Sequence, residues 1–354
     1  MKIGVPTESM EHEDRVALTP AGVEQLVAVG HQVYVQAGAG VGAAMADQEY
    51  RSVGAGVVDT ADEVWAESEL VVKVEAPVEG EFERMRPGQV LFCYLHLAAS
   101  RRRTEALLEH GVTAIAYEEV QGWDGVRPLR VPMSEIAGRL AVQVGARHRT
   151  RPAVRVVVLG AGVVGTSAVA AAAGCGAEVA LLDVDPDRLR EVDRRYRGRV
   201  RTCLASGFEV ARALCDADLV IGAVGVPVGP APTIVTSEMV ADMRSGAVLV
   251  DVAIDEGGCF EGSRPTTLAD PTFAVHGTRF CCVPNLPSVV PRIATRALTD
   301  ATLSYVDALA GKGVDRAVRE DRSLALGLST CRGRITSEPV AATHDLPFAR
   351  AVAS

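Results

Sequence analysis

Aromatic residues make up only 4% of this 354-residue chain, so its core has to be built from aliphatic side chains. The eight cysteines include no pair at C-x-x-C spacing, which leaves structural zinc without a ligand set. No metal site is expected, and most of the cysteines read as small buried hydrophobes. A basic excess is also lacking. The formal net charge is −9, and no stretch interleaves aromatic with basic residues, so a nucleic-acid surface is not expected. Arginines cluster at 101–103, 147–155 and 188–201, where they read as solvated helix faces and a linker. The first residues show no basic segment followed by an apolar run and a cleavage site. The expectation is a cytoplasmic protein with reduced cysteines and no contact with membrane. The most apolar stretch, residues 156–183, carries five glycines, begins as a β-branched strand and ends on an acid, which is the wrong pattern for a membrane span. There is no internal repeat and no low-complexity tract.

What is present is an alternation of short apolar strands with amphipathic helices. Strands are predicted at residues 1–6, 32–37, 70–74, 89–94 and 113–117, with helices at 20–29, 61–66 and 101–110 between them. A long helix is predicted over 132–144, opening at Ser134. Further strands follow at 156–159, 179–182, 219–223, 247–252 and 280–283. The pattern turns helical at 294–309, and the last twenty or so residues read as a partly ordered tail. The length favours two domains. The expected class is α/β, with two Rossmann-like doubly wound domains. A nucleotide-binding domain (130–291) is inserted into a discontinuous substrate domain (1–129 and 292–354).

The strongest motif lies in residues 156–183. A β-branched strand runs into Gly160, Gly162 and Gly165 at GxGxxG spacing, and an alanine-rich helix opens at Val163 and Val164. A second apolar strand then ends in Asp183. This order is what a dinucleotide requires. Gly160 permits the tight turn, Gly162 lets backbone approach a pyrophosphate, and Gly165 lets helix and strand pack closely. The pyrophosphate would rest on free N–H groups at the helix N-terminus. Asp183 is placed to accept the ribose hydroxyls and to repel a 2′-phosphate, which predicts NAD over NADP.

Several longer runs extend the picture. They are GVPTESMEHEDRVALTPAGVEQL (4–26), QAGAGVG (36–42), FCYLHLAAS (92–100), PMSEIAGRLAVQVGA (132–146), DLVIGAV (218–224), VDVAIDEGGCFEGSRPTT (250–267), VPNLPSVVP (283–291) and GLST (327–330). Through them the chain resembles the alanine dehydrogenase family, which shares its fold with the NAD-binding part of proton-pumping transhydrogenases. The resemblance implies reversible NAD-linked oxidative deamination of a small amino acid to a keto acid, in a homohexamer built from dimers. It places Arg15 at the substrate carboxylate, where a guanidinium fork matches two oxygens at once. It assigns His96 as the catalytic histidine and Asp255 as the catalytic aspartate. It puts Ser134, Val224 and Asn285 on the nicotinamide or ribose side, and Asp183 and Arg188 on the adenosine side.

Two departures from the family pattern stand out. Where the family carries a lysine that contacts the substrate's carbonyl and carboxylate, this chain has Glu75. Two like charges ~4 Å apart repel by about 4 kcal/mol at an effective dielectric near 20, so a pyruvate-like substrate cannot sit against an ionised Glu75 as it sits against lysine. Three arrangements reconcile this with activity. Glu75 is protonated in a dry pocket, Lys73 reaches in from the same strand face, or the substrate supplies a cation for Glu75 to hold. A different reading makes Glu75 a solvated residue of a nucleotide-binding protein without dehydrogenase activity, kept for sensing or assembly. The second departure is a basic linker, 148–155, roughly fifteen residues shorter than the family's glycine-rich stretch. It bears on oligomer contacts and on the cleft mouth.

Overall fold

A computed structural model describes residues 1–148, 155–225 and 231–350. The chain forms two compact units, Met1–Met133 with Ser288–Ser354, and Ser134–Pro287.

In the first unit the strands are β1 (Lys2–Val5), β2 (Gln32–Gln36), β3 (Gly56–Val58), β4 (Leu70–Val72), β5 (Val90–Cys93) and β6 (Thr113–Ala116). The second unit contributes β7 (Arg155–Leu159), β8 (Glu178–Asp183), β9 (Val200–Leu204), β10 (Leu219–Gly222), β11 (Val248–Asp251), β12 (Thr272–Val275) and β13 (Thr278–Cys281). The chain then returns to the first unit with β14 (Leu328–Cys331) and β15 (Arg334–Ile335). The first sheet runs β15-β14-β6-β5-β4-β1-β2-β3, parallel except at β14, which is antiparallel to both its neighbours. The second runs β12-β13-β11-β10-β7-β8-β9, parallel except at β12.

The central strands are buried along their whole length, which fits their continuous aliphatic runs, since helices cover both faces of a parallel sheet. In the second unit apolar clusters form on each side of the sheet, with Val156 and Val158 in one and Val157 and Leu159 in the other. Both sheets reverse their winding beside the first strand of the unit, between β1 and β4 and between β7 and β10. Open α/β sheets bind ligands outside the carboxyl ends of the strands at such reversals.

Local chemistry fixes the helices that frame these ends. Helix Pro20–Ala28 starts at Thr19, whose hydroxyl accepts from Gly22 N at 3.1 Å, with proline in the first turn. Helix Pro291–Lys312 returns to the first unit and anchors the segment around Arg15. Val16 N donates to Thr295 Oγ1 and Thr19 N to Thr299 Oγ1, both at 3.1 Å and both buried.

The structure corrects two expectations here. Among the described residues the tail carries regular structure: β15 pairs with β14, and helix Glu338–His344 packs so that His344 Nε2 donates to the Leu97 carbonyl at 2.7 Å. Its elements are too short to show a period in the sequence. The helix expected to open at Ser134 begins earlier, as Val131–Arg147, so Ser134 lies inside it rather than at its cap. Positions 149–154 of the short linker lie outside the described residues.

Candidate functional site

Three loops at the carboxyl ends of the first sheet, one after β1, one after β4 and one after β5, bring Arg15, Glu75 and His96 together. Arg15 is buried and bracketed by two carboxylates. Its Nε donates to Glu13 Oε1 at 2.6 Å, while Nη2 donates to Glu13 Oε2 and, at 2.9 Å, to Glu75 Oε1. Nη1 faces the Met133 sulfur at 3.3 Å. Burial alone would lower the pKa of this guanidinium, but the bidentate Glu13 and then Glu75 outweigh it and raise it. With both carboxylates ionised, the Glu13–Arg15–Glu75 cluster keeps one net negative charge. Glu75 Oε2 also lies 3.9 Å from His96 Nε2. The Glu75 side chain is 11% exposed, against 54% for His96. Glu75 is therefore a buried, paired group, not the solvated residue that one sequence reading made it.

Lys73 does not reach this cluster as a free cation, which corrects its assignment to the substrate. Its ammonium is fully buried and committed to Glu8 Oε2 at 3.2 Å and Glu81 Oε1 at 3.0 Å. Burial works against that charge, and Glu8 and Glu81 together outweigh it and raise its pKa. Glu8 also accepts from Val74 N at 2.7 Å and Glu75 N at 3.3 Å, so it holds the backbone that carries Glu75. Burial pushes the Glu8 carboxyl up to about 6, against the pull of Lys73.

His96 sits just past β5 with a left-handed backbone, φ 47°. Glu118, after β6, holds it there. Its carboxylate accepts from His96 N at 2.6 Å and from Leu95 N at 3.1 Å. Tyr94 lies beside the imidazole, ring centroids 6.0 Å apart and nearly parallel, and donates its hydroxyl to Leu129 O at 2.6 Å.

In the second unit, the turn after β7 has the shape that a dinucleotide needs. Gly160 has φ +101°, and a Cβ there would lie 2.4 Å from the Ala223 carbonyl oxygen. A Cβ on Gly165 would fall 1.8 Å from the Gly160 carbonyl oxygen, so helix and strand touch only because it is absent. A Cβ on Gly162 would meet nothing within 4 Å, so glycine there clears space for something outside the fold. Gly162 caps helix Val163–Gly174 without a side-chain hydrogen bond, with Val163 exposed and Val164 half-buried behind it. First-turn N–H groups without a side-chain acceptor, beside cleared space, fit a pyrophosphate.

Asp183 ends β8, its carboxylate accepting from Ala161 N at 2.5 Å and Asp185 N at 2.7 Å. Each oxygen has a further lone pair for a hydroxyl. Arg188 is exposed and pairs with Asp185 at 3.4 Å. Val224, after β10, stands beside Gly160, and Ser134 is half-buried. Asp255 is exposed on the turn after β11, and its Oδ2 accepts from the backbone N of Asn285 at 3.3 Å. Asn285 itself is left-handed, φ 48°. Among the described residues no cluster of His, Cys, Asp or Glu could hold a metal ion, and no helix is long and apolar enough to cross a membrane.

The alanine dehydrogenase/PNT N-terminal domain matches residues 4–137 and the corresponding C-terminal domain residues 134–338. The chain belongs to the alanine dehydrogenase/PNT family. It is 52% identical to an alanine dehydrogenase of Mycolicibacterium smegmatis over 98% of both chains. A solved L-alanine dehydrogenase superposes with a TM-score of 0.94 at 43% identity, covering 98% of this chain and 99% of that one. A transhydrogenase from Sinorhizobium meliloti gives 0.84 at 26% identity, covering 96% and 99%. The chain is accordingly a nicotinamide-dependent oxidoreductase of the amino-acid dehydrogenase kind, and its two-sheet α/β architecture is the one this family shares.

Two residues of the alanine dehydrogenase/PNT chain that matter to the site were missed by the sequence reading. Glu118 holds the His96 loop. Asp251 holds the turn bearing Asp255, accepting from Ala253 N, Cys259 N, Phe260 N and Ser263 Oγ at 2.6–3.3 Å. Each is an acid at or just beyond the end of an apolar strand, the same signal that marked Asp183.

Proposed function

We propose that this chain catalyses NAD-linked, reversible oxidative deamination of an amino acid to its keto acid, with the choice of substrate altered by Glu75. The observation that carries the reading is the convergence of Arg15, Glu75 and His96 at the winding reversal of the first sheet. The second sheet offers an uncapped helix N-terminus and a glycine turn at its own reversal. Amino acid, NAD and water give keto acid, ammonium, NADH and a proton. When bound, the nicotinamide would supply the hydride acceptor for the substrate Cα.

The first unit supplies the substrate groups. Arg15 holds the carboxylate, and His96 carries protons, imidazole being the side chain suited to passing them at neutral pH. Asp255 orients the water that attacks the imine, and Asn285 fixes its rotamer through the backbone. Ser134 and Val224 line the nicotinamide or ribose side, and Arg188 the adenosine side. Asp183 takes the ribose hydroxyls, and its charge opposes a 2′-phosphate, which supports NAD over NADP. The reading carries with it a cytoplasmic homo-oligomer that acts on a small amino or keto acid and on neither nucleic acid nor membrane.

The test is NADH formation at 340 nm with a panel of amino acids, beside fluorescence titration with NADH and NADPH. Turnover of at least one amino acid and tighter binding of NADH are expected. NADH binding without turnover of any amino or keto acid would overturn the dehydrogenase reading, and tighter NADPH binding the cofactor choice.

A further inference from the structure

We infer that Glu75 is the acceptor for the substrate's α-nitrogen, so that this site selects the amino acid and its protonated imine over the keto acid. The inference rests on the reading of Arg15 as the carboxylate anchor and His96 as the proton carrier. Glu75 touches both: Oε1 is 2.9 Å from Arg15 Nη2 and Oε2 is 3.9 Å from His96 Nε2. In an α-amino acid the reacting nitrogen is bonded to the carbon next to the carboxylate. A substrate with its carboxylate on Arg15 and its nitrogen within reach of His96 therefore sets that nitrogen beside Glu75.

The charges agree with this placement. Arg15 is already matched by Glu13, and Lys73 by Glu8 and Glu81, so these two buried cations are offset before Glu75 is counted. Glu8, Glu13, Glu75 and Glu81 then outnumber Arg15 and Lys73, and within this surplus of negative charge Glu75, at 11% side-chain exposure, is the group that faces His96, with little water to screen it. A zwitterionic amino acid brings a cation to that surplus charge while its carboxylate faces Arg15. A keto acid brings a carbonyl oxygen, which can only accept, against a carboxylate that also only accepts. The ammonium–carboxylate bond is charge-assisted and roughly twice as strong as a neutral one. Arg15 and Glu75 thus select for the two ends of one zwitterion.

The experiment is equilibrium binding to the full chain saturated with NADH, using pairs that differ only at the α-substituent. The ligands are L-alanine and L-lactate, L-2-aminobutyrate and L-2-hydroxybutyrate, with 2,4-diaminobutyrate as a side-chain cation control. Wild type, Glu75→Gln and Glu75→Lys are compared, with thermal melting to confirm that each is folded. Wild type is expected to bind the amino member of a pair at least about tenfold more tightly than the hydroxy member. The ratio is expected to collapse toward unity in Glu75→Gln and to invert in Glu75→Lys. A wild-type ratio near one, or a ratio unchanged by Glu75→Gln, overturns the inference while leaving any measured dehydrogenase turnover standing. A Glu75-dependent preference only for diaminobutyrate over aminobutyrate also overturns it, by moving the cation to the side chain. Retained NADH binding with no binding of any amino or hydroxy acid overturns the proposed function and this inference with it.

Discussion

Glu75 accepts a 2.9 Å hydrogen bond from the guanidinium of Arg15, the residue read as the substrate's carboxylate anchor. Of the three arrangements that could reconcile Glu75 with activity, the structure removes one and weakens another. Lys73 is held by Glu8 and Glu81. The surroundings of Glu75 are also not the apolar pocket that the second arrangement calls for, because the buried Arg15 guanidinium donates to its carboxyl group. A substrate that supplies the cation is the arrangement left standing.

The glycine turn gives a clean contrast. Gly165→Ala drives a Cβ to 1.8 Å from the Gly160 carbonyl oxygen, so the strand and helix must part. Gly162→Ala meets no protein atom within 4 Å. Thermal melting should show Gly165→Ala strongly destabilised, by about 2 kcal/mol or more, as overpacking against backbone requires. Gly162→Ala should melt close to wild type yet bind NADH at least tenfold more weakly, because its methyl occupies space kept for the ligand. Equal NADH affinity in Gly162→Ala would remove the pyrophosphate from this turn.

The sequence made the framework legible because its central strands are continuous apolar runs and its glycine turn has one physical solution. Arg15, His96 and Asp255 came forward as candidates through the runs that contain them, and the structure brings the first two together around Glu75. The fate of Lys73 was not, since alternation along a strand says which face a side chain shares but not which carboxylates from distant segments occupy it. Glu8 lies in the loop after β1 and Glu81 in the short helix Glu79–Phe82, and together they hold it. Glu118 and Asp251 were equally hidden, because most of their partners are backbone N–H groups, and the sequence gives no sign of which amides need an acceptor. The ordered tail escaped because β15 has two residues, too few for any period.

Glu118 should govern catalysis through the shape of the His96 loop. Glu118→Ala leaves the amides of Leu95 and His96 without their acceptor, at a cost of roughly 1–3 kcal/mol each if they stay buried. His96, held at φ 47°, then has less to keep it in place. The expected result is a fall in kcat of at least about tenfold. The Kd for NADH should not change, because Glu118 belongs to the first unit. Unchanged kcat in Glu118→Ala would make the Glu118 contact incidental.

Glu8 sets a pH dependence of stability. Its carboxyl is raised from 4.5 to about 6, with burial the first cause. A raised carboxyl favours the folded state in its protonated form. Its contribution is therefore fully present below pH 4.5 and is lost as pH rises through about 6. The shift corresponds to about 2 kcal/mol. Urea unfolding of wild type and Glu8→Gln at pH 4.5 and 7 checks it. Wild type should lose about that much stability relative to the variant over this interval. Parallel behaviour of the two proteins would show that Glu8 does not titrate there.

The most direct test of the account is the specificity constant for pyruvate with ammonia, measured by NADH consumption in wild type and Glu75→Lys. The substitution turns the repulsion between Glu75 and a keto acid into attraction. An increase in kcat/KM of at least about tenfold is expected, well within the roughly 4 kcal/mol that removing the repulsion alone makes available at an effective dielectric near 20. No increase, or a fall, in a folded Glu75→Lys that still binds NADH would contradict the claim that Glu75 decides what this site accepts.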